Sequence, residues 1–302
     1  GTAAEWLGLL GTLAVAVLFF IHGAALSRDQ IRAGATHWRL HLFIAALTFL
    51  LFPLLVLPID GLAPRWIPED GIIPDDMRAG LLFLTLLPST VQSSIAFTAM
   101  ARGNVPAAVC SAAASNVFGM MLTPFLLMLL VSTTGDGGFD TLQALRDIVL
   151  QLLLPFALGH GLRHWLGPWL DRHPGFSARY DQGVILLIVY AAFSQSVASG
   201  LWQQLPVTAI VLAVALCLLL LLTLLALTTW LSRRAGFNRA DEIAAVFCGS
   251  KKSLASGLPM AKVLFAGHPG FGMIILPIIC YNQIQILVGA ALARRYVQSS
   301  PH

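Results

Sequence analysis

Nine apolar stretches, each long enough to cross a lipid bilayer as a helix, follow one another along the 302-residue chain. Because the hydrocarbon core offers backbone groups no hydrogen-bond partners, only helices and closed barrels span it, and runs of about 20 apolar residues indicate helices. We therefore predict an all-α polytopic membrane protein. The predicted spans cover residues 6–26, 39–58, 78–101, 105–132, 142–166, 181–201, 206–232, 240–265 and 270–293.

The composition supports this class and excludes several others. Apolar residues make up 57% of the chain and charged residues only 11%, with a mean hydropathy of +0.80. The net charge of +4 does not predict nucleic-acid binding, because the basic residues are dispersed in short loops. The four cysteines lie far apart within apolar spans, so they predict neither a disulfide framework nor a metal site. No cofactor is expected.

The arginines predict the orientation of the spans. Twelve of the fifteen fall in one set of alternate loops, whereas Arg65, Arg78 and Arg146 fall in the other set. The positive-inside rule places the larger set in the cytoplasm, which gives an external N-terminus and a cytoplasmic C-terminus.

Two adjacent lysines, Lys251 and Lys252, lie near the middle of the eighth predicted span. At about 1.5 Å per residue, Lys251 follows the pair Asp241 and Glu242 by roughly 15 Å, about half of a ~30 Å hydrocarbon core. A lysine there costs on the order of 2.5–3.5 kcal/mol, so a partner or a function is expected.

No Asp or Glu lies in the interior of a predicted span, so these lysines have no evident carboxylate partner. Either burial leaves an amine neutral, which allows proton coupling, or backbone dipoles and an anionic substrate balance its charge. A third alternative is that both side chains snorkel to an interface.

Two predicted spans are interrupted by residues that disfavour a continuous helix. The third contains Pro88 and a polar run to Ser94, and the eighth contains the stretch 249–253, followed by Gly257 and Pro259. The breaks are five spans apart, which matches two inverted five-helix repeats with a substrate site at the midplane. On that scheme the first repeat lacks its first helix, so we expect a shortened form of a ten-helix protein.

The residues around these breaks resemble a known family. The resemblance is carried by the stretches LLPSTVQSSIAFTAMARGNVPAAVCSAAASNVFGMMLTPFLLML and DEIAAVFCGSKKSLASGLPMAKVLFAG. They are similar to the bile acid:sodium symporter superfamily, in particular to its bacterial branch that resembles solute carrier family 10 member 7. The resemblance implies two inverted repeats, a core domain with two crossed, broken helices, a smaller panel domain, and a bacterial inner-membrane location. Mapped onto this chain, the core covers about 39–132 and 206–296, and the panel about 6–26 and 142–201.

The chain departs from the sodium-coupled members of that family at one place. Those members resemble one another in a Glu-Val-Gly-Met-Gln run on the second broken helix, whose side-chain oxygens bind sodium. Here Phe247 matches the carboxylate position and Lys251 the amide position. Because Na⁺ needs several oxygen ligands, we expect no family-like sodium coupling, with Lys251 replacing the coupling cation or carrying the proton.

The expected function is secondary active transport of a small or amphipathic organic anion by alternating access. Enzyme motifs such as HExxH or a paired intramembrane Asp are missing from the sequence, so no enzyme is expected. Two alternatives stay open: a non-transporting membrane regulator of ion homeostasis, calcium included, which the resemblance permits, and a sodium symporter with a relocated ion site. The expected partners are the anion, membrane lipid and, as an open alternative for coupling, protons.

Ten residues are expected to line the substrate path. For the residues of the third span, the alternative is that they hydrogen-bond the exposed backbone groups of their own broken helix. For the residues of the ninth span, and likewise for Gln285, the alternative is hydrogen bonding between helices. The ten are Lys251, Lys252, Ser250, Ser253, Thr90, Gln92, Ser93, Ser94, Asn282 and Gln283.

Overall fold

The computed structural model describes residues 2–25, 37–56, 74–134, 146–198, 200 and 207–299. Within these ranges the regular structure is helical, without a strand. The helices are α1 Thr2–Ala25, α2 Trp38–Val56, α3 Asp75–Leu86, α4 Gln92–Met100, α5 Val105–Thr134, α6 146–161, α7 Arg163–Arg172, α8 Pro174–Ala198, α9 Val207–Arg234, α10 Arg239–Ser250, α11 Leu254–Leu264 and α12 Phe271–Gln298.

Four of the described helices are long and apolar enough to cross a membrane: α2, the part of α5 over Val105–Leu130, α9 and α12. They confirm the predicted class, an all-α polytopic membrane protein. In α1 the corresponding apolar stretch, Leu9–Ala25, is shorter. The nine spans, their orientation and the inverted repeat stay predictions, and loops 26–36 and 57–73 lie outside the described residues.

Both predicted helix breaks are confirmed. Residues 87–91 separate α3 from α4, and residues 251–253 separate α10 from α11. Leu87 has an extended backbone (ψ 150°), because the Pro88 ring disfavours the helical region for the residue before it. The second break is shorter than predicted, since residues 249–250 still belong to α10.

The fifth predicted span differs from the structure at its C-terminal end. α6 ends at Gly161 rather than at residue 166, and α7 begins after a turn at Leu162 (φ −84°, ψ 0°). Trp165 in α7 is 74% exposed, which is typical of aromatic residues at a membrane surface. The prediction extended to residue 166 because Leu162, Trp165 and Leu166 add apolar residues beyond the helix end, although Arg163 and His164 interrupt them.

Internal contacts group the chain into two compact units. In the first unit, α1 packs closely on α6, because Gly23 and Gly159 leave room for the carbonyl groups of Phe156 and Phe20, respectively. The predicted core and panel domains stay a prediction. The first unit comprises residues 1–28, 120–202 and 255–272, and the second comprises residues 29–119, 203–254 and 273–302.

The second unit contains both helix breaks and is built around α10. Every residue of α10 from Asp241 to Ser250 is buried. On one side, small residues such as Ala108 and Ala244 allow α5 and α2 to approach α10 closely. On another side, Phe97 of α4 and Tyr296 of α12 pack around Phe247. The second break therefore lies inside protein, where unwound backbone is tolerated.

Candidate functional site

The C-terminal end of α3 presents carbonyl oxygens to the interior of the second unit. The last carbonyls of an α-helix have no partner within the helix, and the helix dipole adds partial negative charge there. Thr85 and Leu87, at this end, are both fully buried. Their carbonyl oxygens therefore need donors from another element.

α2 supplies a third carbonyl oxygen through a local change of helix type. Residues Leu47–Leu51 form a π-helical turn, which departs from the regular pairing of each N–H with the carbonyl four residues earlier. Thr48 lies within this turn, is fully buried, and donates its hydroxyl to the Ile44 carbonyl at 2.8 Å. Its own carbonyl oxygen faces the second break, where it accepts from Lys252.

The amine of Lys252 fills the space between these three oxygens. Its Nζ donates to the carbonyls of Thr48 at 2.8 Å, Thr85 at 2.7 Å and Leu87 at 2.7 Å. Three acceptors match the three N–H groups of an ammonium, whereas a neutral amine has two, and the distances are those of charge-assisted hydrogen bonds. The Phe52 ring centre adds a cation–π contact at 4.3 Å. We call the three oxygens the carbonyl cage.

Lys251 has a different environment. Its Nζ donates to the main-chain carbonyl of Gln285 at 2.9 Å and lies 4.2 Å from the ring centre of Phe97. The Phe247 ring is a second aromatic neighbour at 5.9 Å. Gly289 leaves the space for this amine, since a Cβ there would lie 2.6 Å from Nζ. One hydrogen bond and two aromatic faces constrain Lys251 less than the carbonyl cage constrains Lys252.

The two lysines separate because the backbone between them is extended. Lys251 has φ −100° and ψ 141°, and successive side chains of an extended chain point to opposite sides. The sequence led us to expect the cation-like amine at Lys251. The structure surrounds the amine of Lys252 with the carbonyl cage instead.

The first break is satisfied by neighbouring elements of the second unit. The Ser89 N–H donates to the Ser115 hydroxyl at 2.9 Å, and the Asn116 amide donates to the Ser89 carbonyl at 2.7 Å. The Ser253 N–H donates to the Pro88 carbonyl at 2.9 Å, which joins the two breaks directly. Backbone groups that the breaks expose are thus hydrogen-bonded inside protein.

The second break is satisfied mainly by α12. The Tyr281 hydroxyl donates to the Ser250 carbonyl at 2.7 Å. The Gln285 side chain accepts from the Lys252 N–H and donates to the Lys252 carbonyl, both at 2.9 Å. Both α12 side chains are buried, so α12 forms one wall of the site.

Half of the predicted site residues lie around the contact between the two breaks. All five are buried, and the hydroxyls of Ser94 and Ser250 donate to the main-chain carbonyls of Phe247 and Val246. These hydroxyls therefore stabilise the broken helices in this structure. The five are Lys251, Lys252, Ser250, Ser253 and Ser94.

The other five predicted site residues are partly buried or exposed. Thr90 and Ser93 are partly buried and share a hydrogen bond of 3.2 Å between their hydroxyls. Asn282 is partly buried and accepts from the Gln285 amide at 3.0 Å. Gln92 and Gln283 are exposed, whereas both lysine amines are buried. Substrate contact by these five residues stays a prediction.

Several site residues were missed by sequence reasoning. Tyr281 continues the buried face of Ile274 and Ile278 with spacings of four and three, a helical signal that could have identified it. Gln285 was expected to hydrogen-bond between helices, and it does so with Lys252. The carbonyl cage has no comparable signal, because it consists of backbone atoms. The missed residues are Thr48, Thr85, Leu87, Ser115, Asn116 and Tyr281.

Comparison with known proteins gives consistent relatives over most of the chain. Residues 1–298 match the model of the SBF-like CPA transporter family. An uncharacterised protein of Pseudomonas aeruginosa is 52% identical over 296 residues, which cover 97% of this chain and 85% of that protein. The Escherichia coli protein named "Putative symporter YfeH" is 48% identical over 95% of this chain and 84% of its own length. The Rattus norvegicus protein named "Sodium/bile acid cotransporter 7" is 30% identical over 93% of this chain and 81% of its own length.

Proposed function

Because the chain belongs to the SBF-like CPA transporter family, we propose that it moves a small or amphipathic organic anion across the membrane by alternating access, without sodium coupling. Its transporter role and its place in a membrane follow from the family. The anion, the coupling and the mechanism are the proposal, together with a bacterial inner-membrane location and a cytoplasmic C-terminus.

The carbonyl cage around Lys252 is the observation that carries the proposal. Converging oxygens are the ligands that hard monovalent and divalent cations prefer. Here an ammonium occupies that position, with N–O distances of 2.7 to 2.8 Å. A cation that is covalently part of the chain cannot be exchanged across the membrane. The cage therefore supports transport that does not use a sodium gradient.

Lys251 supports an anionic substrate. Its amine has one backbone hydrogen bond, and an ammonium that leaves its aromatic neighbours can offer charge-assisted hydrogen bonds to a carboxylate or sulfonate. The acidic residues of α10 do not neutralise it. Asp241 accepts from Asn104 at 2.7 Å, and Glu242 accepts from Arg233 at 2.9 Å. Since Lys251 is 2% exposed, substrate reaches it only after an opening movement, as alternating access requires.

The partly buried and exposed polar residues on either side of the two breaks would line the path to Lys251. Hydroxyl and amide groups can orient an anion without adding charge of the same sign. These residues are Thr90, Gln92, Ser93, Asn282 and Gln283.

Ligand-dependent thermal stability tests the substrate class. The purified full chain is heated with short carboxylates, dicarboxylates and amphipathic steroid sulfonates, because a ligand at 100 times its dissociation constant adds about 2.7 kcal/mol to the native state. The anion that stabilises the parent should not stabilise Lys251→Met. Lys262→Met, the same change in α11, should respond like the parent.

Uptake of that anion into proteoliposomes tests the coupling. At fixed pH and voltage, the initial rate should be the same with an inward sodium gradient and with choline in place of sodium. A steep rise with the sodium gradient would favour a relocated ion site and overturn sodium independence. A pH gradient imposed in a second series separates proton coupling from uniport. If the folded protein transports none of the anions that stabilise it, the result would favour the alternative of a non-transporting membrane regulator.

A further inference from the structure

Gln285 holds both lysines at the second break through different atoms. Its Oε1 accepts from the Lys252 N–H and its Nε2 donates to the Lys252 carbonyl, each at 2.9 Å. Its main-chain carbonyl accepts from the Lys251 Nζ at 2.9 Å. The two backbone partners fix the orientation of the amide, since an N–H only donates and a carbonyl only accepts. Gln285 is 1% exposed, so these contacts have no competition from bulk water.

We propose that Gln285 is a positioning residue that sets the direction of both lysine amines and transmits movement of α12 to them. The inference rests on the proposed function, because it concerns the same two amines. A side chain bonded to both backbone groups of Lys252 opposes rotation of that residue. Because the preceding backbone is extended, fixing Lys252 also fixes the opposite direction taken by Lys251.

The side chain and the main chain of Gln285 act on different lysines. The side-chain amide alone satisfies the Lys252 backbone, and the hydrogen bond from Lys251 Nζ to the Gln285 carbonyl contributes nothing to that. The Gln285 amide is itself held by Asn282, one turn earlier on α12, at 3.0 Å. A sliding of α12 past the second break therefore disturbs the contacts to both amines together.

Amine labelling of the full chain tests this inference. The parent, Gln285→Met and Gln285→Glu are reconstituted into liposomes without substrate and pulsed with acetic anhydride, and acetylation of each lysine is measured by mass spectrometry. In Gln285→Met, labelling of Lys251 and Lys252 should rise about fivefold to tenfold, because two buried hydrogen bonds no longer oppose local opening. Gln285→Glu keeps the acceptor for the Lys252 N–H and loses the donor, so a smaller rise is expected. Labelling of Lys262 serves as the internal reference.

Gln298→Met is the matched control, because it makes the same change at an exposed position of α12 and should label like the parent. Equal labelling of Lys251 and Lys252 in the parent and in Gln285→Met overturns the inference. An equal rise at Lys262 also overturns it, since that indicates general loosening. Should Gln285→Met not reconstitute, Gln285→Glu decides by the same criteria. The labelling experiment needs no substrate. A failure to find anion uptake would therefore refute the proposed function, and the labelling of the two lysines could still be interpreted.

Discussion

The Nζ of Lys252 lies 2.7 Å from the carbonyl oxygen of Leu87, and this hydrogen bond joins the two helix breaks. An ammonium in a hydrocarbon interior is costly, and so is an unpaired carbonyl at a helix end. Here the hydrogen bond between the Lys252 ammonium and the Leu87 carbonyl reduces both costs. The breaks also meet through the backbone, where Ser253 donates to Pro88 at 2.9 Å. The lysine is thus part of the structure that allows both helices to be interrupted.

Replacing the two lysines should have unequal effects on stability. Lys252→Met leaves three buried carbonyl oxygens without a donor, which should lower the free energy of unfolding by about 3 kcal/mol. Lys251→Met removes one hydrogen bond and should cost about 1 kcal/mol. Melting temperatures of both variants in the same detergent measure the difference. Equal melting temperatures would contradict the unequal environments of the two amines.

A small amine should restore stability to Lys252→Ala. Alanine removes the ammonium and its stem and leaves the carbonyl cage empty, so propylammonium can bind there with three N–H donors. The melting temperature of the variant should rise with propylammonium chloride relative to choline chloride at the same ionic strength. The parent, whose cage is filled, should not respond.

Tetramethylammonium provides the control for this rescue, since it carries the same charge without an N–H donor. It should leave the melting temperature of Lys252→Ala unchanged. Equal stabilisation by both cations would mean that charge alone, and not hydrogen bonding to the cage, accounts for the effect.

The helix breaks could be predicted from sequence because local chemistry determines them. Pro88 lacks an N–H and restricts Leu87, and polar residues next to glycine are unusual in the middle of an apolar span. The crossing of the breaks was expected from the family resemblance, and their direct contact is seen between Ser253 and Pro88.

The partners of the lysines could not be predicted in the same way. The carbonyl cage depends on a π-helical turn at Leu47–Leu51, and a single sequence carries no reliable signal for such a turn. Which of two adjacent lysines enters the cage depends on the backbone angles at Lys251, which only tertiary packing fixes. The hydroxyl of Ser94 shows the same limit, because it donates to the Phe247 carbonyl of α10, whereas the sequence suggested substrate contact or a bond within its own broken helix.

Gly289→Ala should separate the role of Lys251 from that of Lys252. An added Cβ would lie 2.6 Å from the Lys251 Nζ and 3.1 Å from a ring carbon of Phe97, so the flexible amine must move while the carbonyl cage stays intact. Alanine is favoured over glycine in a helix by up to about 1 kcal/mol, so the melting temperature should not fall. Uptake of the anion should fall about tenfold, the effect of losing one charge-assisted hydrogen bond to the substrate. Gly183→Ala in α8, where an added Cβ meets nothing within 4 Å, should transport like the parent. Full activity of Gly289→Ala beside an inactive Lys251→Met would show that the position of this amine in the resting structure does not matter for transport.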